Sequence, residues 1–114
     1  MKEKDVKGLG PEFVRGTVKL VVLAILAGTP KHGYAVLKEI RALLGDVYEV
    51  REGTLYPTLH RLEGDGYLKS DWRVSTSGRN RRYYKLTPNG RQVLQVQKEV
   101  LARMSKTINA AGNK

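Results

Sequence analysis

The sequence predicts a mainly α-helical fold carrying one small β-hairpin. Three observations lead there. Apolar residues recur at helical spacing in three successive segments between Gly16 and Gly66. The period then becomes strand-like over residues 67–86, around a Ser77-Gly78-Arg79-Asn80 turn. Thr87-Pro88 opens a last, long amphipathic segment. With 114 residues the chain suits one domain with one modest core.

Each element has its own justification. Residues 1–13 hold Gly8, Gly10 and Pro11 without any period, and are read as a flexible arm. From Gly16 to Ala27 the chain is almost continuously apolar; its length and lack of internal turn residues favour a buried helix over a strand. Gly28-Thr29-Pro30 ends it. A second helix follows from His32 to Leu44, with Val36, Leu37, Ile40, Leu43 and Leu44 as its apolar stripe and Gly45 as its stop. A third helix ends near Asp65-Gly66 and buries Leu55, Leu59 and Leu62. Its start lies at Glu52 or at Tyr56, because Pro57 removes a backbone hydrogen bond anywhere beyond the first turn.

Tyr67-Leu68 leads into Ser70 to Ser75, and this stretch with Arg82 to Leu86 reads as the hairpin. Alternation turns Leu68, Trp72 and Val74, with Tyr84 and Leu86, toward the body, and Tyr83 outward. Thr87 is a helix N-cap with Pro88 at the first position. The final helix carries one line of Val93, Val96, Val100 and Met104 and another of Leu94, Leu101 and Ile108. That face is broader than one small core needs. The boundaries are thus an arm at 1–13, a compact unit at 14–87, a helix at 88–109 and a tail at 110–114.

Composition narrows the function. Lys and Arg number 21 against 11 Asp and Glu, a net charge of +10, which favours a polyanionic partner. The absence of cysteine removes disulfides, thiol nucleophiles and zinc-thiolate sites. Two histidines, His32 and His60, without an acidic cluster, leave no metal site, cofactor or catalytic constellation. The longest apolar run, Leu20 to Ala27, is too short to span a bilayer, and no apolar signal segment follows the polar amino terminus, so a cytoplasmic protein with no membrane partner is expected.

Three helices, a basic hairpin and a closing helix make the order of a winged helix-turn-helix with a carboxy-terminal dimerisation helix. In that arrangement the third helix enters the major groove of duplex DNA, and the hairpin is a wing reaching phosphates or the minor groove. Thr54, Thr58 and Arg61 lie opposite the third helix's leucine line. Arg pairs bidentately with guanine and a Thr methyl contacts thymine; Tyr56 can donate to a phosphate. In the wing, Arg79, Arg81, Arg82 and Lys85 gather with Arg73 across from them, interleaved with Tyr83 and with Asp71 the only acid nearby. Such like charges repel unless a polyanion neutralises them. A winged-helix protein-interaction module is the rival reading, since the fold is reused for protein contacts.

Several short motifs occur together: His32-Gly33-Tyr34, Gly53-Thr54-Leu55-Tyr56-Pro57, Leu59-His60-Arg61-Leu62-Glu63 with Gly66, Arg81-Arg82-Tyr83-Tyr84, and Leu86-Thr87 with Gly90. In this combination, from about Arg15 to about Leu94, the chain resembles the PadR family of bacterial transcriptional regulators. The resemblance implies a homodimeric repressor on inverted-repeat operators, released by a small hydrophobic or phenolic effector. It adds Tyr34 and Pro57 to the DNA-facing residues. It also implies the short form of the family, whose last helix, here Val93, Leu94, Val96, Val100, Leu101, Met104 and Ile108, serves dimerisation. One departure stands out. Some short relatives present a tryptophan from that helix to flat aromatic drugs, whereas the single tryptophan here, Trp72, lies in the wing.

Overall fold

The computed structural model describes residues 10–74 and 76–112. Helix α1 spans Pro11–Ile25, strand β1 Lys31–His32, α2 Gly33–Leu44, α3 Glu52–Gly64, β2 Leu68–Val74, β3 Asn80–Leu86 and α4 Pro88–Ala111. The strands form one antiparallel sheet in the order β1-β3-β2. The fold is the mainly helical winged helix-turn-helix expected, with α2 and α3 as the helix pair and β2–β3 as the wing.

The core follows the apolar spacing. Val18, Val22 and Ile25 of α1 recur at four and three residues and are buried with Leu23. They meet Val36, Leu37 and Ile40 of α2 and Leu55, Leu59 and Leu62 of α3. Leu68, Tyr84 and Leu86 close the core from the hairpin, and Leu94 from α4. Arg41 Nε of α2 donates to the Val50 carbonyl at 2.8 Å, fastening the link between α2 and α3.

Element ends show how local chemistry sets the chain's path. Beyond α3, Gly66 takes a φ of 85°, Tyr67 N–H donates to Leu62 C=O and Gly66 N–H to Glu63 C=O. This paired bonding satisfies the helix's last carbonyls and turns the chain into β2. Thr87 Oγ1 accepts from Gly90 N–H at 2.9 Å and donates to Gly66 C=O at 2.7 Å, so the cap of α4 is tied to the end of α3.

Several expectations need correction. The arm does not extend to Phe13: α1 begins at Pro11, with proline at its first position and Glu12 in its first turn, both favourable at a helix start. Residues 1–9 of that arm lie outside the described residues. Helix α3 begins at Glu52 and carries Pro57 in its interior. The hydrogen bond lost is the one Gly53 C=O would accept, and Gly53 is exposed to water that can replace it. Leu43, assigned to the α2 stripe, is exposed. Trp72 and Val74 share a strand face with the buried Leu68, yet are 66% and 70% exposed, because the wing outruns the body beneath it. Strand β1 was not foreseen, since two residues show no period. Helix α4 continues to Ala111, through the start of the expected tail.

Candidate nucleic-acid interface

The candidate interface is built from the starts of α2 and α3 and from the wing. His32 sits at the N-cap of α2, where its Nδ1 accepts the Ala35 N–H at 3.2 Å. This bond uses the lone pair of Nδ1, which suits the neutral ring in the tautomer with its proton on Nε2. Arg81 Nη1 lies 3.2 and 3.1 Å from the two ring nitrogens, and Tyr83 meets the ring edge-on at 5.4 Å. Burial, and then the Arg81 guanidinium, hold the His32 pKa below its ordinary value. His32 thereby joins the helix-turn-helix to the wing.

Gly33 follows, and its lack of a side chain leaves room for Tyr56: a Cβ there would stand 2.6 Å from Tyr56 Cε1 of α3 and force that ring to shift. This close approach sets Tyr34 and Tyr56 side by side. Burial, and then the Glu52 carboxylate, push the Tyr56 pKa up, so its hydroxyl remains a donor. Tyr34 is exposed, with Lys38 Nζ 5.8 Å from its ring centre.

Along α3, Pro57, His60 and Arg61 are exposed, while Thr54 and Thr58 are half-buried on one shoulder. The Thr58 hydroxyl donates to Thr54 C=O at 2.8 Å. The face turned farthest from the core is therefore centred on Pro57 and Arg61 and not on the two threonines.

The wing separates its charges between two faces. Cross-strand partners share a face, so Lys69 with Lys85, Asp71 with Tyr83 and Arg73 with Arg81 form the outer one. Two of those pairs set like charges directly opposite each other, which is unfavourable without a counter-charge. Asp71 Oδ1 accepts from Arg73 Nε at 3.0 Å, and Arg73 lies over the Tyr83 ring at 5.1 Å. The inner face carries Arg82, and here the sequence reading was incomplete. Glu63 of α3 accepts from Arg82 Nη2 at 3.2 Å and from Ser70 Oγ at 2.6 Å, and Arg82 Nε donates to Ser70 Oγ. Arg82 is thus engaged in bracing wing to α3, through an acid distant in sequence. Arg79 has no hydrogen-bond or ion-pair partner among the described residues and projects from the wing.

Between these parts runs an open cleft of about 490 Å³. His32, Tyr34 and Tyr56 line its helical side; Trp72, Arg79, Arg81, Arg82 and Tyr84 line its wing side. No carboxylate is among the lining residues, so the cleft favours anions. The structure brings Tyr34, Tyr56, Arg79 and Arg82 together there with Arg81, which reaches the cleft from the outer face beside His32; it leaves Lys85 and Arg73 on the outer face outside the cleft and sets Arg61 along α3. Among the described residues no group of three or more His, Asp or Glu could hold a metal ion, and no helix is long and apolar enough to cross a membrane.

Away from this surface, α4 divides along its length. Leu94 is buried in the protomer's own core and Val93 is half-buried against it. Val96, Val100, Leu101, Met104 and Ile108 are all about half exposed or more. The two apolar lines, both assigned to dimerisation, are instead divided along the helix between its first turns, which join the core, and the rest. Leu94 belongs to the core side.

The chain is similar to known regulators over nearly all its length. Rv3488, a transcriptional regulator of Mycobacterium tuberculosis, is 40% identical over 107 residues, covering 90% of this chain and 96% of that protein. The structure of a transcriptional regulator from Clostridium thermocellum matches with a TM-score of 0.76 at 32% identity, over 90% of this chain and 96% of that one. A PadR family transcription regulator from Clostridium difficile matches with a TM-score of 0.74 at 29% identity, over 83% and 97%. The family described as transcriptional regulator PadR-like matches residues 22–96, which hold the whole helix-turn-helix and wing. This chain belongs to the PadR-like family of transcriptional regulators.

Proposed function

We propose that the chain is a homodimeric repressor that binds an inverted-repeat duplex and releases it when a small hydrophobic or phenolic effector binds. The observation that carries this reading is the acid-free cleft between α3 and the wing, bordered by Arg79, Arg81, Tyr34 and Tyr56. A duplex strand passing there would meet donors on both sides, with α3 in the adjacent major groove. Arg61 is the base reader, flanked by Thr54, Pro57 and Thr58; Arg73, Arg79, Arg81, Tyr83 and Lys85 serve the backbone. Arg82 acts through the wing's bracing to Glu63 rather than as a free cation. The exposed length of α4, Val96 through Ile108, is the dimer surface. It would space two α3 helices about 34–36 Å apart, one turn of DNA. An effector at that interface would change the spacing, and its preference for the changed state sets the size of the response.

The test is a fluorescence-anisotropy titration of duplex from the chain's own upstream region against scrambled duplex, at two salt concentrations. Tight, salt-sensitive preference for the native duplex is expected. Equal, weak binding to both favours the protein-interaction reading instead. Arg61→Ala should reduce native-duplex affinity by roughly 1–3 kcal/mol and relax preference at one base position. Arg79→Ala should weaken both duplexes alike and lower the salt slope by about 1. Equal losses on native and scrambled duplex for Arg61→Ala would remove it as a base reader.

A further inference from the structure

Trp72 and Val74 form an apolar pair where one is not expected. They stand two residues apart on the inner face of the wing, opposite Arg82 and Asn80, and are 66% and 70% exposed. Leu68, on the same strand face, is buried by the body; beyond it the sheet continues over open space. A solvated hairpin tip has no reason to expose an indole, the largest apolar side chain available. Trp72 also lines the cleft beside Arg79, Arg81 and Arg82.

We propose that Trp72, supported by Val74, is a minor-groove anchor, an apolar contact through which the wing packs against the sugars and base edges of bound duplex. The proposal rests on the DNA-binding reading and adds to it a residue that electrostatics would not select. The guanidinium groups around Trp72, with no carboxylate in the cleft, suit a polyanion and oppose a cationic or purely apolar occupant. The groove's sugar walls and floor offer the apolar surface an indole needs. Apolar side chains placed there bend duplex and widen the groove. A neutral ring contributes affinity without releasing counterions, whereas the arginines beside it contribute through the phosphates.

Trp72 is the chain's single tryptophan, so the intact protein reports on it directly. Acrylamide quenching of its emission is measured with and without the upstream duplex, while anisotropy of the labelled duplex records binding in the same solution. Strong protection of Trp72 at saturation is expected, reversed by a minor-groove-binding polyamide. Trp72→Ala should weaken binding about tenfold with the salt slope unchanged, and Trp72→Phe should retain most of the affinity. Tight duplex binding with Trp72 still fully quenchable overturns the anchor and leaves the DNA reading standing. Protection that rises with protein concentration in the absence of duplex overturns it as well, and assigns the indole to a contact between copies. No binding to any duplex removes the DNA reading and the anchor together.

Discussion

Helices α2 and α4 are alike in sequence and opposite in fate. Each carries apolar residues at three- and four-residue spacing on one side. In α2 most of that spacing is consumed within the protomer: Val36, Leu37 and Ile40 are fully buried, and Leu43 alone of the stripe is exposed. In α4 only the first turns pack inward, and Val96 through Ile108 stay uncovered over roughly four turns of helix. An apolar stripe shows that a face seeks burial; it does not say which surface buries it. The difference arises from position. Helix α2 packs against both α1 and α3, whereas beyond Leu94 the apolar residues of α4 are left exposed by the described residues.

The sharpest way to break this comparison is to charge the uncovered part of α4. Leu101→Glu with Met104→Glu should convert the proposed dimer to monomer in sedimentation and lower affinity for an inverted-repeat duplex by about 10²–10⁴-fold, as two linked half-site contacts become independent. An unchanged sedimentation coefficient would show that α4 is not the dimer surface. The matching change in α2, Leu37→Ala, should cost about 2–5 kcal/mol in denaturant unfolding through the cavity it leaves. The junction between the two behaviours can be probed at Gly90. A Cβ there would collide with the Tyr67 carbonyl oxygen and press on Leu86 Cδ1. Gly90→Ala should therefore cost roughly 1–3 kcal/mol and loosen α4 from the body, read as faster hydrogen exchange at its first turns.

The smallest effect concerns the start of α2. Folding holds the His32 pKa below its ordinary 6.5, so on acidification the unfolded chain takes up the proton first. His32's contribution is complete above that value and is lost as pH falls from there to the folded-state pKa. Urea unfolding at pH 7 and pH 5 should show lower stability in acid. His32→Ala should remove this component of the pH dependence and cost about 1 kcal/mol at pH 7 through the lost cap. An identical pH dependence in the variant would show that His32 does not carry it.

Much of the fold was legible because it is local. Thr87-Pro88 starts a helix through its own hydroxyl and ring, Gly66 ends one by tolerating a positive φ, and alternation buried Tyr84 and Leu86. The candidate site was legible as composition, a basic wing beside a polar helix face. What stayed hidden involved partners distant in sequence. The Glu63–Arg82 pair joins residues 19 apart, and the His32–Arg81 contact joins residues 49 apart. Strand β1 exists only because β3 lies beside it.

The sequence by itself determined the periods, the caps and the excess of positive charge, since each depends on a residue and its near neighbours along the chain. Only the tertiary structure decided that, among the described residues, Arg82 is braced while Arg79 has no partner, that Trp72 overhangs the body, and that the apolar residues of α4 beyond its first turns are left exposed. Those outcomes depend on where one element stops and another fails to follow, and that is a property of packing in three dimensions.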